Sequence, residues 1–186
     1  MSRKALPTSS VLALVALALP ALALAEDTRR SVQVPEHGEF AIALPSAWRF
    51  STESTPQGGA ETLRLDPAKG NRFVLLATPA WVPVEKRDGK EAAMWMRVRL
   101  HGQTVEQDIP VEEYSGARNK VFWFKATNRS PGAGEHPMMV QGVAIVGELM
   151  VGFTLLYYPG DLPEREVVLK ALGDAQHLQQ AGTKTL

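Results

Sequence analysis

Met138-Met139-Val140-Gln141-Gly142-Val143-Ala144-Ile145-Val146, then Gly147-Glu148, then Leu149-Met150-Val151-Gly152-Phe153-Thr154-Leu155-Leu156-Tyr157-Tyr158, is the stretch whose reading decides the fold. Two apolar, β-prone runs of strand length flank a two-residue turn, which is hairpin spacing. The second run is largely apolar on both alternating faces. A strand reads that way when both sides of its sheet are covered. It is therefore predicted at the centre of a sheet.

Working outward, Lys120 to Thr127 is aromatic and β-prone, and Asn128 to Pro137 is a loop holding Ser130-Pro131-Gly132-Ala133-Gly134. Val111 to Tyr114 reads as a short strand. Phe73 to Ala77 is a continuous apolar run, with Pro79 and Pro83 expected to end it. Glu61 to Leu65 alternates polar and apolar, so Leu63–Ala77 is predicted as a hairpin. Thr55 to Gly59 is a Pro/Gly turn, and Trp48-Arg49-Phe50 starts a strand. Glu39 to Leu44 is another strand, closed by Pro45, and Ser31 to Val34 is a short edge strand within a polar, mobile segment 26–38.

Two helices are predicted. Over 88–107 the periodicity conflicts. Ala92, Met96 and Leu100 share a helical face, whereas Met94, Met96, Val98 and Leu100 alternate as in a strand. Asp88 followed by Glu91 is a capping box, and the length exceeds a normal strand, so helix is preferred. The terminal helix is expected to be capped by Asp161, with Pro163 in its first turn and Glu164 completing the box. Leu162, Val168, Leu172, Ala175 and Leu178 form its apolar stripe, and the chain frays after Gln179. The class is α+β: an antiparallel sheet of about six to seven strands flanked by helices. It occupies one domain, 39–180, with 181–186 as a disordered tail.

The first 25 residues have a basic start (Arg3, Lys4), an apolar middle from Val11 to Leu22, and small residues at Ala23 and Ala25. This is the pattern of a cleavable signal peptide, with cleavage between Ala25 and Glu26. Pro20 interrupts the apolar run, which is shorter than the roughly 20 residues needed to span a bilayer. No membrane anchor is expected after cleavage. Removal of residues 1–25 from the 186 leaves 161, enough for one core. With no cysteine, lipidation, disulfides and thiol catalysis are excluded. Removing Arg3 and Lys4 from the 20 basic residues leaves 18 against 20 acidic, a net charge of −2. That balance, without a Lys/Arg block, argues against nucleic acid as a partner.

Three segments carry a resemblance. They are the strand-Pro-x-x-Trp opening from Phe40 to Trp48, the stretch Val121 to Gly142 with its Gly-rich loop, and Phe153-Thr154-Leu155 leading to a terminal helix. Together they resemble the PsbP/Mog1-like α/β/α sandwich, and in particular small exported proteins of Gram-negative bacteria. The resemblance implies a central antiparallel sheet between helices and an accessory or binding role. It implies no particular functional residue.

Candidate sites are few. Glu36-His37-Gly38-Glu39 and Gly134-Glu135-His136-Pro137 each pair a histidine with a carboxylate. If folding joined them, His37 and His136 could hold zinc; the plainer account is two solvated loop histidines. Met94-x-Met96 and Met138-Met139 offer thioethers for copper, but methionine also serves as core filler. Ser46 and Ser115 lack a neighbouring base, Glu112-Glu113 diverge on a strand, and Gly132-x-Gly134 opens no helix, so no catalytic or phosphate motif stands out. Trp48, Trp81, Trp95 and Trp123 are many for this length. Trp123 with Lys125 could form an exposed ligand face, or Trp123 could lie beneath the helix over 88–107. The loop carrying Arg129, Glu135 and His136 is the surface expected to capture a partner. The expected function is a non-enzymatic periplasmic accessory or binding protein, without cofactor, engaging another envelope protein or a small ligand. The alternative is a metal-handling or hydrolytic protein using the loop histidines.

Overall fold

The computed structural model describes residues 27–54, 60–160 and 162–179. The expected signal peptide with its Ala25/Glu26 boundary, the expected turn at 55–59, the expected cap Asp161 and the expected tail 181–186 lie outside them.

The main sheet has seven antiparallel strands. They are β3 (Trp48–Glu53), β4 (Thr62–Pro67), β5 (Phe73–Trp81), β6 (Glu112–Ser115), β7 (Lys120–Thr127), β8 (Met138–Val146) and β9 (Leu149–Tyr157), in the order β3-β4-β5-β9-β8-β7-β6. The run that is apolar on both faces, β9, is the fourth of the seven. Its alternate residues Leu149, Val151, Phe153, Leu155 and Tyr157 are buried, and those between them are half-buried. A second sheet of three strands joins β1 (Asp27–Val34), β2 (Gly38–Pro45) and β10 (Gln176–Leu178), with β2 in the middle. The Pro45–Trp48 bend carries the chain from one sheet to the other, and Trp48 plugs the core by packing at 4.7 Å on Phe73.

The sheet has two coverings. On one face the small sheet and α2 (Glu164–Asp174) bury the main core. Phe40, Ile42 and Leu44 of β2 and Leu169 and Leu172 of α2 meet Leu63, Leu75, Phe153 and Leu155. Each such side chain contributes about 1.5–3 kcal/mol on burial. On the other face, α1 (Gly89–Arg99) lies over β7 and β8. A smaller core of Ile109, Phe124 and Ala126, with Met96, Leu100 and Met139, fills the space beneath its C-terminal half. Gly89 allows this close seat, because a Cβ there would stand 2.8 Å from the Phe122 ring and 3.1 Å from Ile145.

The structure departs from the sequence reading at five places. β1 begins at Asp27 and pairs with β2 throughout, so 27–34 is ordered sheet and the folded unit starts before residue 39. β2 belongs to the small sheet and not to the large one. β5 runs through Pro79 to Trp81; β4 accompanies it only as far as Ala77, so Pro79 lies on an open edge where a missing N–H costs no ladder bond. α1 is capped by Asp88, whose side chain accepts from the Glu91 amide at 2.9 Å, but it stops at Arg99 instead of 107. α2 runs from Glu164, directly after Pro163, and ends at Asp174; Leu178 lies on β10, not on the helix.

The early end of α2 has a visible cause. The β6–β7 turn closes on it. The amides of Arg118 and Asn119 donate to the Gly173 carbonyl at 3.0 and 2.9 Å. The buried Asn119 side chain donates to the Leu172 and Ala175 carbonyls at 3.0 and 2.9 Å. Orphan helix carbonyls are satisfied from another element, so the chain can leave as a strand. Among the described residues, no helix is long and apolar enough to cross a membrane.

Candidate functional site

The residues singled out in the sequence do not converge. His37 stacks flat on Trp81, at 4.5 Å between centroids and 5° between planes, beside the end of β5. His136 packs on Tyr158 at 4.5 Å and bonds the Asn71 carbonyl at 2.6 Å, beside the start of β5. Eight residue steps along β5 separate these ends, about 27 Å at strand rise. The two imidazoles therefore share no site, and among the described residues no group of three metal-ligating side chains occurs. Glu135 turns back into its own loop to accept from the Gly132 amide at 2.8 Å. Arg129 points away from both, donating to the Thr104 carbonyl at 2.8 Å. Met94 faces outward while Met96 packs inward, and Met138 and Met139 serve opposite faces of the sheet, so neither pair offers two thioethers to one ion.

The tryptophans separate into core and surface. Trp123 is buried on the α2 face, under the Arg165 guanidinium at 5.5 Å, so it lies neither beneath α1 nor on an exposed ligand face. Trp81 and Trp95 are 40% and 62% exposed. They belong to a concentration of such residues. Among the described residues, six of the seven large exposed hydrophobics fall between Trp81 and Val105: Trp81, Val84, Met94, Trp95, Val98 and Val105. Met94, Trp95 and Val98 follow helical spacing, so they share the outer side of α1, opposite the buried Gly89 and Ala93.

Two clefts flank α1. The first, about 520 Å³, lies at its C-terminal end between Arg97, His101, Glu106, Asp108, Ile109 and Arg129. Its charges are largely committed. Arg97 donates to the Ile109 carbonyl at 3.0 Å, and Glu106 takes the Thr127 hydroxyl at 2.7 Å and the Thr127 amide at 2.9 Å. Burial pushes the Glu106 carboxyl up, but those two bonds outweigh it and hold it below the ordinary range. This cleft is a loop fastened to a strand.

The second cleft, about 440 Å³, lies at the N-terminal end of α1. Arg87, Arg118 and Lys120 line it with Asp88, Asn119, Phe122 and Ile145. The Arg87 Nε is held by the Val82 carbonyl at 2.5 Å, and Lys120 pairs with Glu113 at 2.7 Å. Among the described residues, Arg118 makes no ion pair, and its backbone, not its guanidinium, caps α2. No sequence motif marks these residues. Arg87 and Arg118 are 31 positions apart and meet only through the packing of α1 on β7 and β8.

No family model matches the chain, and no curated protein matches it.

Proposed function

We propose that this chain is an exported, non-catalytic accessory or binding protein of the Gram-negative periplasm, built as a PsbP/Mog1-like α/β/α sandwich. The N-terminal leader pattern supports export. The sandwich reading is supported by a seven-stranded antiparallel sheet with α1 on one face and α2 on the other.

The observation that carries the binding role is the apolar outer side of α1. Met94, Trp95 and Val98 are exposed on a domain whose two cores are already filled, and their apolar surfaces belong to neither core, although the Trp95 Nε1 donates to Glu91 at 3.4 Å within the helix. Contiguous exposed apolar side chains mark interaction surfaces. An exposed tryptophan is also the residue type most enriched at binding hot spots. The partner of this surface is another envelope protein, which would bury Trp95 at the centre of its contact.

Site-specific photocrosslinking tests this. A benzoylphenylalanine placed at Trp95, in the full-length chain expressed in its own cell, should give one discrete adduct. A probe at Ser130 reports on the Arg129–Pro137 loop in parallel. Adducts at Ser130 with none at Trp95 would move the surface to that loop, and none at either would sink the binding reading.

A further inference from the structure

We infer that the cleft at the N-terminal end of α1 is a binding site for a phosphoryl group attached to an apolar body. Three cationic side chains reach it from separate elements. Arg87 comes from the segment leading into α1, Arg118 from the β6–β7 turn, and Lys120 from the start of β7. Their floor is apolar, formed by Phe122 and Ile145. Among the described residues, the carboxylate lining the cleft is Asp88, whose side chain accepts from the Glu91 amide as the helix cap, and Lys120 is already paired with Glu113 at its edge, so the two guanidiniums carry the free positive charge. Because Asp88 already caps α1, the helix terminus adds only its field; the two guanidinium groups define the site.

The geometry sets the ligand class. Two guanidiniums present forked N–H donors suited to the oxygens of a phosphoryl group, and the Lys120 ammonium, shared with Glu113, stands at the rim. Arg87 is half-buried and fixed through its Nε, so its terminal nitrogens are oriented in advance of binding. Arg118 is exposed but rises from a turn locked to α2 by its own amide. A bare phosphate would engage the cations and leave Phe122 and Ile145 uncovered. A phosphate ester would use both parts. Such an ester could be a soluble metabolite or a phospholipid headgroup, and the two share this chemistry.

The test is a titration of the isotopically labelled chain, purified from the periplasm of an expressing cell, followed by backbone amide shifts. It has three arms: inorganic phosphate, phenyl phosphate, and phosphatidylglycerol vesicles, all at about 0.15 M salt to screen loose ion pairing. Saturable shifts of Gly89, Arg118 and Lys120 with the soluble ester indicate a metabolite. Binding to vesicles alone indicates a lipid headgroup. In either case Arg87→Gln and Arg118→Gln should each weaken binding roughly tenfold, the loss of one charge-assisted contact. Neither substitution touches the α2 cap, so folding is retained; an unchanged spectrum away from the cleft checks that. No saturable shift in any arm overturns the inference, as does binding that both variants retain at full strength. Trp95 plays no part in this site, so the outcome is independent of what covers α1.

Discussion

Replacing Gly116 with alanine should destabilise the domain more than any other single methyl addition in the β6–β7 turn. A Cβ at this position would stand 2.3 Å from the Gly173 Cα and 2.5 Å from its carbonyl carbon. Ordinary carbon contact begins at about 3.5 Å, so the two backbones must part by roughly 1 Å. Neither has a flexible side chain to yield. The parting acts on every bond between the turn and the end of α2. These are Arg118 and Asn119 amides to Gly173, the Asn119 side chain to Leu172 and Ala175, and the Ala117 amide to the Asp174 carboxylate at 3.0 Å. Bonds of 2.9–3.0 Å cease to be hydrogen bonds when stretched by that distance. Each contributes about 0.5–1.5 kcal/mol, and burying Asn119 unsatisfied adds to the loss. Partial relaxation leaves an expected cost of about 3 kcal/mol.

Urea unfolding followed by tryptophan fluorescence reads this directly. With a slope of about 2 kcal/mol per molar urea, the midpoint should fall by roughly 1.5 M. The control is Gly152→Ala on the central strand β9, where a Cβ would meet nothing within 4 Å. It should be neutral or stabilise by about 0.5 kcal/mol, by restricting the unfolded chain. A Gly116→Ala midpoint within about 0.3 M of the parent would refute the reasoning, because it would mean that the turn and α2 are not in contact in solution.

Four further outcomes follow. Gly142→Ala should fail to fold or lose about 3 kcal/mol, because its Cβ would sit 2.1 Å from the Phe122 carbonyl oxygen; a thermal melt decides it. Glu106 binds its partners as a carboxylate and is held below its ordinary value of 4.5, so its contribution is present above that pH and lost as the pH falls through the lowered value. Hydrogen exchange at the Thr127 amide should accelerate in that acid range, and Glu106→Gln should remove the pH dependence. The Arg72–Glu164 ion pair is asymmetric, with Arg72 58% exposed, Glu164 11% exposed and its Oε2 lacking a partner among the described residues. Arg72→Ala, which leaves a buried charge, should cost about 2 kcal/mol and Glu164→Gln about 1 kcal/mol or less; the reverse order in urea titrations would contradict this assignment. Trp95→Ser should change stability by less than about 0.5 kcal/mol while abolishing crosslinking from neighbouring α1 positions.

What could be read from the sequence was local. The β8–β9 hairpin, β7 and the Asp88 cap each announce themselves within one contiguous stretch, through alternation, aromatic content or a capping box. What could not be read depends on partners far along the chain. Gln176-His177-Leu178 has no strand signature of its own. It becomes a strand because β2, some 135 positions earlier, offers an open edge to Ala41, Phe40 and Glu39. His177 then ties the small sheet to the large one, bonding the His37 carbonyl at 2.6 Å and the Glu148 amide at 3.2 Å. Because its Nδ1 accepts from an amide, its Nε2 carries the proton. A lone histidine near a terminus expected to fray gives no hint of this role. The charged cleft escaped notice for the same reason, since no spacing rule connects Arg87, Arg118 and Lys120.

The same turn that holds α2 also presents Arg118 to the cleft, and this separates the structural from the binding role. Residues 116–119 spend their backbone and the Asn119 amide on α2, while the Arg118 guanidinium makes no hydrogen bond or ion pair among the described residues. Stability and ligand capture should therefore dissociate by substitution. Gly116→Ala removes both, because it moves the backbone that aims Arg118. Arg118→Gln weakens only capture. A ligand that binds the folded chain alone raises its stability by RT ln(1 + [L]/Kd), about 2.7 kcal/mol at a hundredfold excess over Kd. A phosphate ester at a hundredfold excess over the parent Kd should thus raise the urea midpoint of the parent about twice as far as that of Arg118→Gln, for which a tenfold weaker Kd leaves about 1.4 kcal/mol. Equal gains in both chains would place the bound ester elsewhere on the surface.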